Sequence, residues 1–260
     1  MTRDESADDA RHPQLVDSHT HLDRYEPDAV ARMLRAARSL GVQRALTVGV
    51  DLDSSGAAVA LAERVPGVDA AVGIHPSRAV AVDDVRGVSE AVSRMAVHRS
   101  VCAIGEIGLD TGEADAARQR AVFESMLDVA EACGLPIVLH AVGGHADVMD
   151  ALRRRGRPRG VVHYFVGGPD LARAYVELGL KIGVGKPVIR GWPAELLEAV
   201  ASLPLEALLL ETDTYPLPGR TTTPADVAEV CEAVAGIRGV SADVVADATT
   251  ASYARLFSRR

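Results

Sequence analysis

Two histidines one residue apart, His19 and His21 in LVDSHTHLD at residues 15–23, stand between Asp17 and Asp23 in an otherwise apolar stretch. In a strand, side chains two apart share a face, so the pair presents two imidazoles side by side. Rings placed that way can reach one metal ion. An isolated H-x-H also occurs as a hydrogen-bonded structural pair, so its meaning depends on its company. Glu106, His140, His163 and Asp213 each fall at or near the end of a further β-rich run, and all are metal-ligand types. His75 closes another run in GIHP, and His145 follows the run that ends at residue 142, while His12 and His98 fall outside this pattern. Buried carboxylates and imidazoles are costly without compensation, and a divalent cation accounts for their presence together. The competing account, a network of mutually satisfied polar core residues, requires all six groups to converge without purpose.

Four histidines with two carboxylates exceed what one tetrahedral zinc requires. They suit two ions bridged by a carboxylate. Glu106 is the natural bridge, and Gly105 and Gly108 beside it in IGEIGLD are expected to keep neighbouring side chains off the ion. Two ions lower the pKa of a shared water and polarise the scissile group, which favours hydrolysis. No G-x-S-x-G elbow is present, and Cys102, Cys133 and Cys231 do not stand beside a strand-end histidine, so covalent catalysis is the weaker reading.

These side chains need a scaffold that brings strand ends together. Eight short apolar runs bounded by glycine or proline read as strands: 15–22, 44–50, 68–74, 101–109, 136–142, 160–166, 180–185 and 207–213. Segments 28–41, 115–134 and 224–237 space their apolar residues three and four apart, as amphipathic helices do. Continuously apolar strands alternating with helices imply a parallel sheet covered on its outer face. Eight such units in 260 residues fit a single α/β domain, a closed (β/α)8 TIM barrel, whose sites lie at the C-terminal strand ends. An open doubly wound sheet would carry a glycine-rich phosphate loop after its first strand, where this chain has HTHLDRYEP. Residues 1–13 are expected to be a disordered leader and 14–260 the barrel.

Hydrophobic residues make up 48% of the chain and charged residues 25%, an ordinary globular composition. No apolar run is long enough for a membrane span or a signal peptide, and the three cysteines are odd in number. A cytoplasmic protein is expected, with no membrane association and no obligate protein partner. The net charge of −8 leaves any nucleic-acid contact to a local basic patch. The most visible patch, RRRGRPRG at 153–160, precedes the sixth strand and so belongs at the opposite end of the barrel from the histidines.

The motifs DSHTHLD, VGIHP, IGEIGLD, LPIVLHA, VVHYFVGG, LKIGVG and LPLEALLLETD, in this order over residues 15 to about 257, resemble those of the TatD family of metal-dependent hydrolases, within the amidohydrolase-like barrels. The resemblance implies that His19, His21, Glu106 and Asp213 hold one divalent ion and Glu106, His140 and His163 a second. The ions would be zinc, magnesium or manganese. It also implies that Asp213 orients or deprotonates the attacking water and that His75 lines the substrate pocket. Departures bear on the substrate. Many phosphodiester-cutting members carry an arginine two residues after the fifth-strand histidine, where this chain has Val142. Lys186, Arg190 and Arg220 are the candidate replacements for that cation, and Trp192 could cap a base or another flat group. Two activities stay open: a metal-bridged hydroxide attacking a phosphodiester of single-stranded nucleic acid, as in a deoxyribonuclease or exonuclease, or the same centre acting as an amidohydrolase or esterase on a small molecule.

Overall fold

The computed structural model describes residues 14–156, 158–219 and 222–258. The expected leader, residues 1–13, lies outside the described residues, as does Arg220. Eight parallel strands follow one another in sequence order: β1 (Leu15–Thr20), β2 (Val42–Val48), β3 (Val68–Val72), β4 (Val101–Asp110), β5 (Ile137–Val142), β6 (Gly160–Val162), β7 (Leu180–Val184) and β8 (Leu208–Leu210). The helices are α1 (Pro27–Arg38), α2 (Leu52–Arg64), α3 (Pro76–Ala79), α4 (Val85–Ala96), α5 (Ala116–Cys133), α6 (His145–Arg154), α7 (Pro169–Glu177), α8 (Ala194–Ser202), α9 (Val227–Arg238) and α10 (Ala242–Phe257). Short turns of 3-10 helix fill several of the loops. This is the (β/α)8 barrel the alternation implies, and each expected strand coincides with an observed one.

The barrel closes between its first and last strands just above β8. The Asp213 amide donates to the His19 carbonyl (3.0 Å) and the His21 amide to the Thr214 carbonyl (2.7 Å). Asp17, fully buried, fastens the same seam: its Oδ2 accepts from Thr212 Oγ1 (2.6 Å) and its Oδ1 from the Thr212 amide (3.0 Å).

Val16, Leu46, Val48, Ala71, Ala103, Val138, Val161 and Leu209 pack into one apolar cluster, closed at the N-terminal end by Tyr253, Leu256 and Phe257 of α10. That cluster marks the inward face. A larger apolar layer lies between strands and helices. On β5, β6 and β8 the period of two carries the inward face from Val138 to His140, from Val161 to His163, and from Leu209 to Glu211 and Asp213. On β1 strict alternation from Val16 would turn His19 outward. There the pairing register slips between Asp17 and Thr20, and on β4 it slips again between Ile104 and Ile107, the stretch that holds Glu106.

The arginine run ends α6 and is balanced locally. Arg154 pairs with Glu124 (2.6 Å), as does Arg155 (2.6 Å), and Arg153 pairs with Asp150 (2.9 Å). No disulfide joins Cys102, Cys133 or Cys231. No helix among the described residues is long and apolar enough to cross a membrane.

Candidate metal centre

Glu106, almost fully buried, is the hub of the site, and its two oxygens face different neighbours. Oε1 lies 2.9 Å from His140 Nδ1, 3.2 Å from His163 Nε2 and 3.5 Å from His75 Nε2. Oε2 lies 3.6 Å from His19 Nε2 and 3.9 Å from His21 Nε2. Asp213 Oδ1 completes the second side, 3.4 Å from His21 Nε2 and 4.0 Å from His19 Nε2. All six side chains expected as ligands therefore converge. Three overlapping sets offer ligand atoms within 4.8 Å of one another: His19, His21 and Asp213; His19, Glu106 and His163; and His75, Glu106 and His140.

Local structure explains these placements. Asp213 has φ 52°, a left-handed conformation rare for a residue with a Cβ, held there by the seam bond to His19. Gly105 and Gly108 act differently from the expectation that they make room for an ion. A Cβ on Gly105 would fall 2.5 Å from the Val138 Cβ, and one on Gly108, where φ is 150°, would fall 1.8 Å from the His140 carbonyl oxygen. They make room for β5, bringing His140 up against Glu106.

The donor set fits a cation. His21 Nδ1 lies 2.8 Å from the Val48 carbonyl, which can only accept, so Nδ1 carries the proton and Nε2 turns a lone pair toward Asp213. His140 Nε2 lies 2.9 Å from Asp110 Oδ2. With Nε2 as donor to that carboxylate, the neutral ring turns a bare Nδ1 onto Glu106. Lone pairs then face each other across 2.9 Å, an arrangement satisfied by a shared cation or an added proton. His19 is fully buried and neither ring nitrogen has a hydrogen-bond partner among the described residues. An imidazole left unpaired in that way is costly unless a ligand meets it.

His75 differs from the rest. The Ser77 amide donates to its Nδ1 (3.1 Å), so in the neutral ring Nε2 carries the proton and points a donor at Glu106 and His140. That suits a residue that lines the pocket.

Burial opposes the charge on Glu106, but the imidazoles around it, His163 foremost, hold its carboxyl well below the usual range. Asp213, against the same burial, is brought down to about 2, chiefly by His21. Burial lowers His75 to about 4 and lowers His19, with His163 beside it adding to the effect. For His163, burial is outweighed by Glu106 and Glu211, which raise it well above the ordinary value. His140 is raised despite burial by Glu106 and Asp110, and His21 by Asp213 and Glu106.

Two carboxylates behind the histidines are absent from the sequence reading. Asp110 holds His140, and Glu211, fully buried, lies with Oε1 3.3 Å from His163 Nδ1. Glu211 is the residue two before Asp213, and the shared strand face is the signal that could have found it. The centre opens into a cavity of about 320 Å³ lined by His21, Arg24, Val50, His75, Ser77, Arg78 and Tyr215 besides the ligands. A larger cavity, about 600 Å³, lies at the N-terminal end of β4 and β5 beside Cys133 and Arg159. It holds none of the three ligand sets.

The other expected substrate residues are spread over the β7 loop. Lys186 Nζ is engaged by Asp226 Oδ2 (2.7 Å). Burial, with the charges of Asp213 and Glu211, raises the Tyr164 hydroxyl above its ordinary value, with Arg190 opposing. Trp192 is 72% exposed and is not among the residues lining the cavity.

Residues 16–258 match the model of the TatD related DNase family. The metal-dependent hydrolase YjjV of Escherichia coli K12 is 32% identical over 94% of this chain and 98% of its own length. The metal-dependent hydrolase TatD of Mycobacterium tuberculosis is also 32% identical, over 94% and 97%. A protein of Yersinia pseudotuberculosis named 3'-5' ssDNA/RNA exonuclease TatD is 35% identical over 72% of this chain and 74% of its own. The crystal structure of Escherichia coli YjjV superposes with a TM-score of 0.84 at 30% identity, covering 95% of this chain and 98% of that one.

Proposed function

Since the chain belongs to the TatD family of metal-dependent hydrolases, we propose that it cuts phosphodiester bonds of single-stranded nucleic acid with two divalent ions held on either side of Glu106. The observation that carries this reading is the division of labour at Glu106, one oxygen toward His140 and His163, the other toward His19 and His21. His19, His21, Glu106 and Asp213 would hold one ion, and Glu106, His140 and His163 the other. When bound, such ions supply Lewis-acid polarisation of the scissile group and a nucleophilic water at neutral pH. Zinc, magnesium and manganese all suit this donor set.

Asp213 remains ionised at neutral pH and, at 25% side-chain exposure, reaches the cavity from the rim. It accepts the proton of the attacking water and fixes that water's orientation. His75, neutral and with its proton on Nε2, offers a hydrogen bond to a substrate oxygen. Arg190 and Trp192 on the β7 loop, with Arg220, are assigned to the substrate's outer contacts, while Lys186 is held by Asp226. Val142, half exposed where many phosphodiester-cutting relatives carry an arginine, favours a second reading, hydrolysis of an amide or ester in a small molecule.

The test is turnover of single-stranded DNA against a panel of amides and esters, each with added metal and with chelator. Metal-dependent release of nucleotides is the expected result. Cleavage of the amides or esters alone transfers the assignment to the second reading.

A further inference from the structure

Val142 leaves this chain without a cation on the β5 side, yet the cavity wall on the β1 and β3 side carries two. Arg24 lies three residues after His21, its amide donating to the His21 carbonyl (3.3 Å), and Arg78 lies three after His75, its amide donating to the His75 carbonyl (2.9 Å). Both side chains line the 320 Å³ cavity that holds Glu106 and Asp213, and both are exposed. Each thus rides on the turn that places a site histidine, so the two are fixed relative to the centre and not on free loops.

Their charges are only partly met. Asp51 Oδ2 lies 3.5 Å from Arg78 Nε. Its other oxygen is spent capping α2, accepting from the Ser54 amide (2.9 Å). Asp23, adjacent to Arg24, is bonded by Thr47 Oγ1 (2.9 Å). Arg78 thus has one half-free carboxylate and the Arg24 side chain no ion pair within 4.0 Å among the described residues, at the mouth of a cavity whose floor would hold divalent cations. Planar guanidinium forks match phosphate oxygens in a bidentate manner. Beyond Arg78 the surface turns acidic with Asp51, Asp53, Asp83 and Asp84, which confines the positive field to one group.

We propose that Arg24 and Arg78 form an anion subsite that binds the phosphate neighbouring the bond to be cut, taking the place of the cation absent at Val142. The proposal rests on the phosphodiester reading above. It makes the preferred substrate a strand with at least one phosphate beyond the scissile one.

The experiment compares the protein with its Arg24→Gln/Arg78→Gln double variant on a thymidine dinucleotide and a thymidine trinucleotide, the metal-loaded protein being used throughout. Both side chains are exposed, so metal content and Tm should not change, and measuring them checks that the centre is intact. The variant's KM for the trinucleotide should rise about tenfold, with kcat and the dinucleotide KM within about twofold. A trinucleotide whose neighbouring phosphate is a neutral methylphosphonate should lose the same factor with the unaltered protein and nothing further with the variant. An equal KM for both proteins on the trinucleotide, or an equal rise on both substrates, overturns the subsite. Calorimetric Kd values separate this from failure of the reaction. A protein that binds the trinucleotide about tenfold more tightly than the variant but never cuts it supports the subsite and refutes the nuclease reading, whereas equal Kd values refute the subsite whatever is cut.

Discussion

The two flanks of Glu106 use the same residue types in different ways. On the β1 and β8 flank, His19 is wholly buried without a hydrogen-bond partner for either nitrogen among the described residues, His21 leans on a neutral backbone carbonyl, and the charge comes from Asp213. On the β5 and β6 flank, both histidines have a carboxylate behind them, Asp110 hydrogen-bonded to His140 at 2.9 Å and Glu211 3.3 Å from a His163 Nδ1 that makes no hydrogen bond among the described residues. A carboxylate behind an imidazole makes the ring a more basic ligand and fixes its tautomer. One flank thus presents a charged ligand and an exposed edge for chemistry, while the other gains its charge at one remove and holds His140 by a carboxylate hydrogen bond. The contrast means that two ions held on either side of Glu106 would have unequal environments, set by the residues behind the ligands.

The severest way to break this picture is at the bridge. Glu106→Gln should remove metal from both flanks and depress turnover by more than the 10- to 100-fold that loss of an outer hydrogen bond typically costs. Elemental analysis showing full metal content with unchanged turnover removes Glu106 from the centre. The asymmetry itself is tested by Asp110→Asn, expected to weaken metal binding at one of two sites by about 10- to 100-fold. Asp23→Asn is the matched control: Asp23 acts on His21 through space without bonding its ring, so its effect should stay within about threefold. Titration of the metal-free protein with zinc reads both, and equal effects would erase the distinction.

Proton competition sharpens the comparison. On the β5 and β6 flank both His140 and His163 are raised above the ordinary imidazole value, so each binds its proton already at higher pH and metal must displace it. The other flank has one ring raised, His21, and one lowered, His19. As pH falls from about 8 to about 5.5, metal should leave the β5 and β6 flank first, in two resolved steps of bound metal. A single step, or the reverse order judged in the Asp110→Asn variant, contradicts the assignment. The smallest effect is expected at the seam. Thr212→Val leaves Asp17 without its hydroxyl donor, at a cost of about 1–3 kcal/mol, and should lower Tm by roughly 2–10 °C.

The strand and helix alternation and the apolar character of the runs were sufficient to expect the barrel, because both follow from local periodicity. The six ligand-type residues were legible for the same reason, being polar groups at the ends of apolar runs. What could not be read was anything set by a slip in register or by contact between distant loops. The turn of His19 to the inside depends on the irregularity between Asp17 and Thr20, which no period-of-two pattern encodes. Asp110 was visible in IGEIGLD, but its bond to His140 depends on the pairing of β4 with β5. Lys186 looked available as a loop cation, whereas its partner Asp226 comes from 40 positions further along. Arg24 and Arg78 are 54 positions apart and line one cavity only because the segments after β1 and β3 open at the same end of the barrel.

The seam joining the first strand to the segment after the last has a consequence for how the protein is made. His19 and His21 leave the ribosome early, but Asp213 and the backbone that pins it to them are synthesised 192 residues after His21. Any nascent or truncated chain that stops short of that point has a barrel with an open stave and lacks the carboxylate of the set His19, His21 and Asp213. Closing the seam and completing the set His19, His21 and Asp213 therefore wait until the last strand and the segment after it have been made.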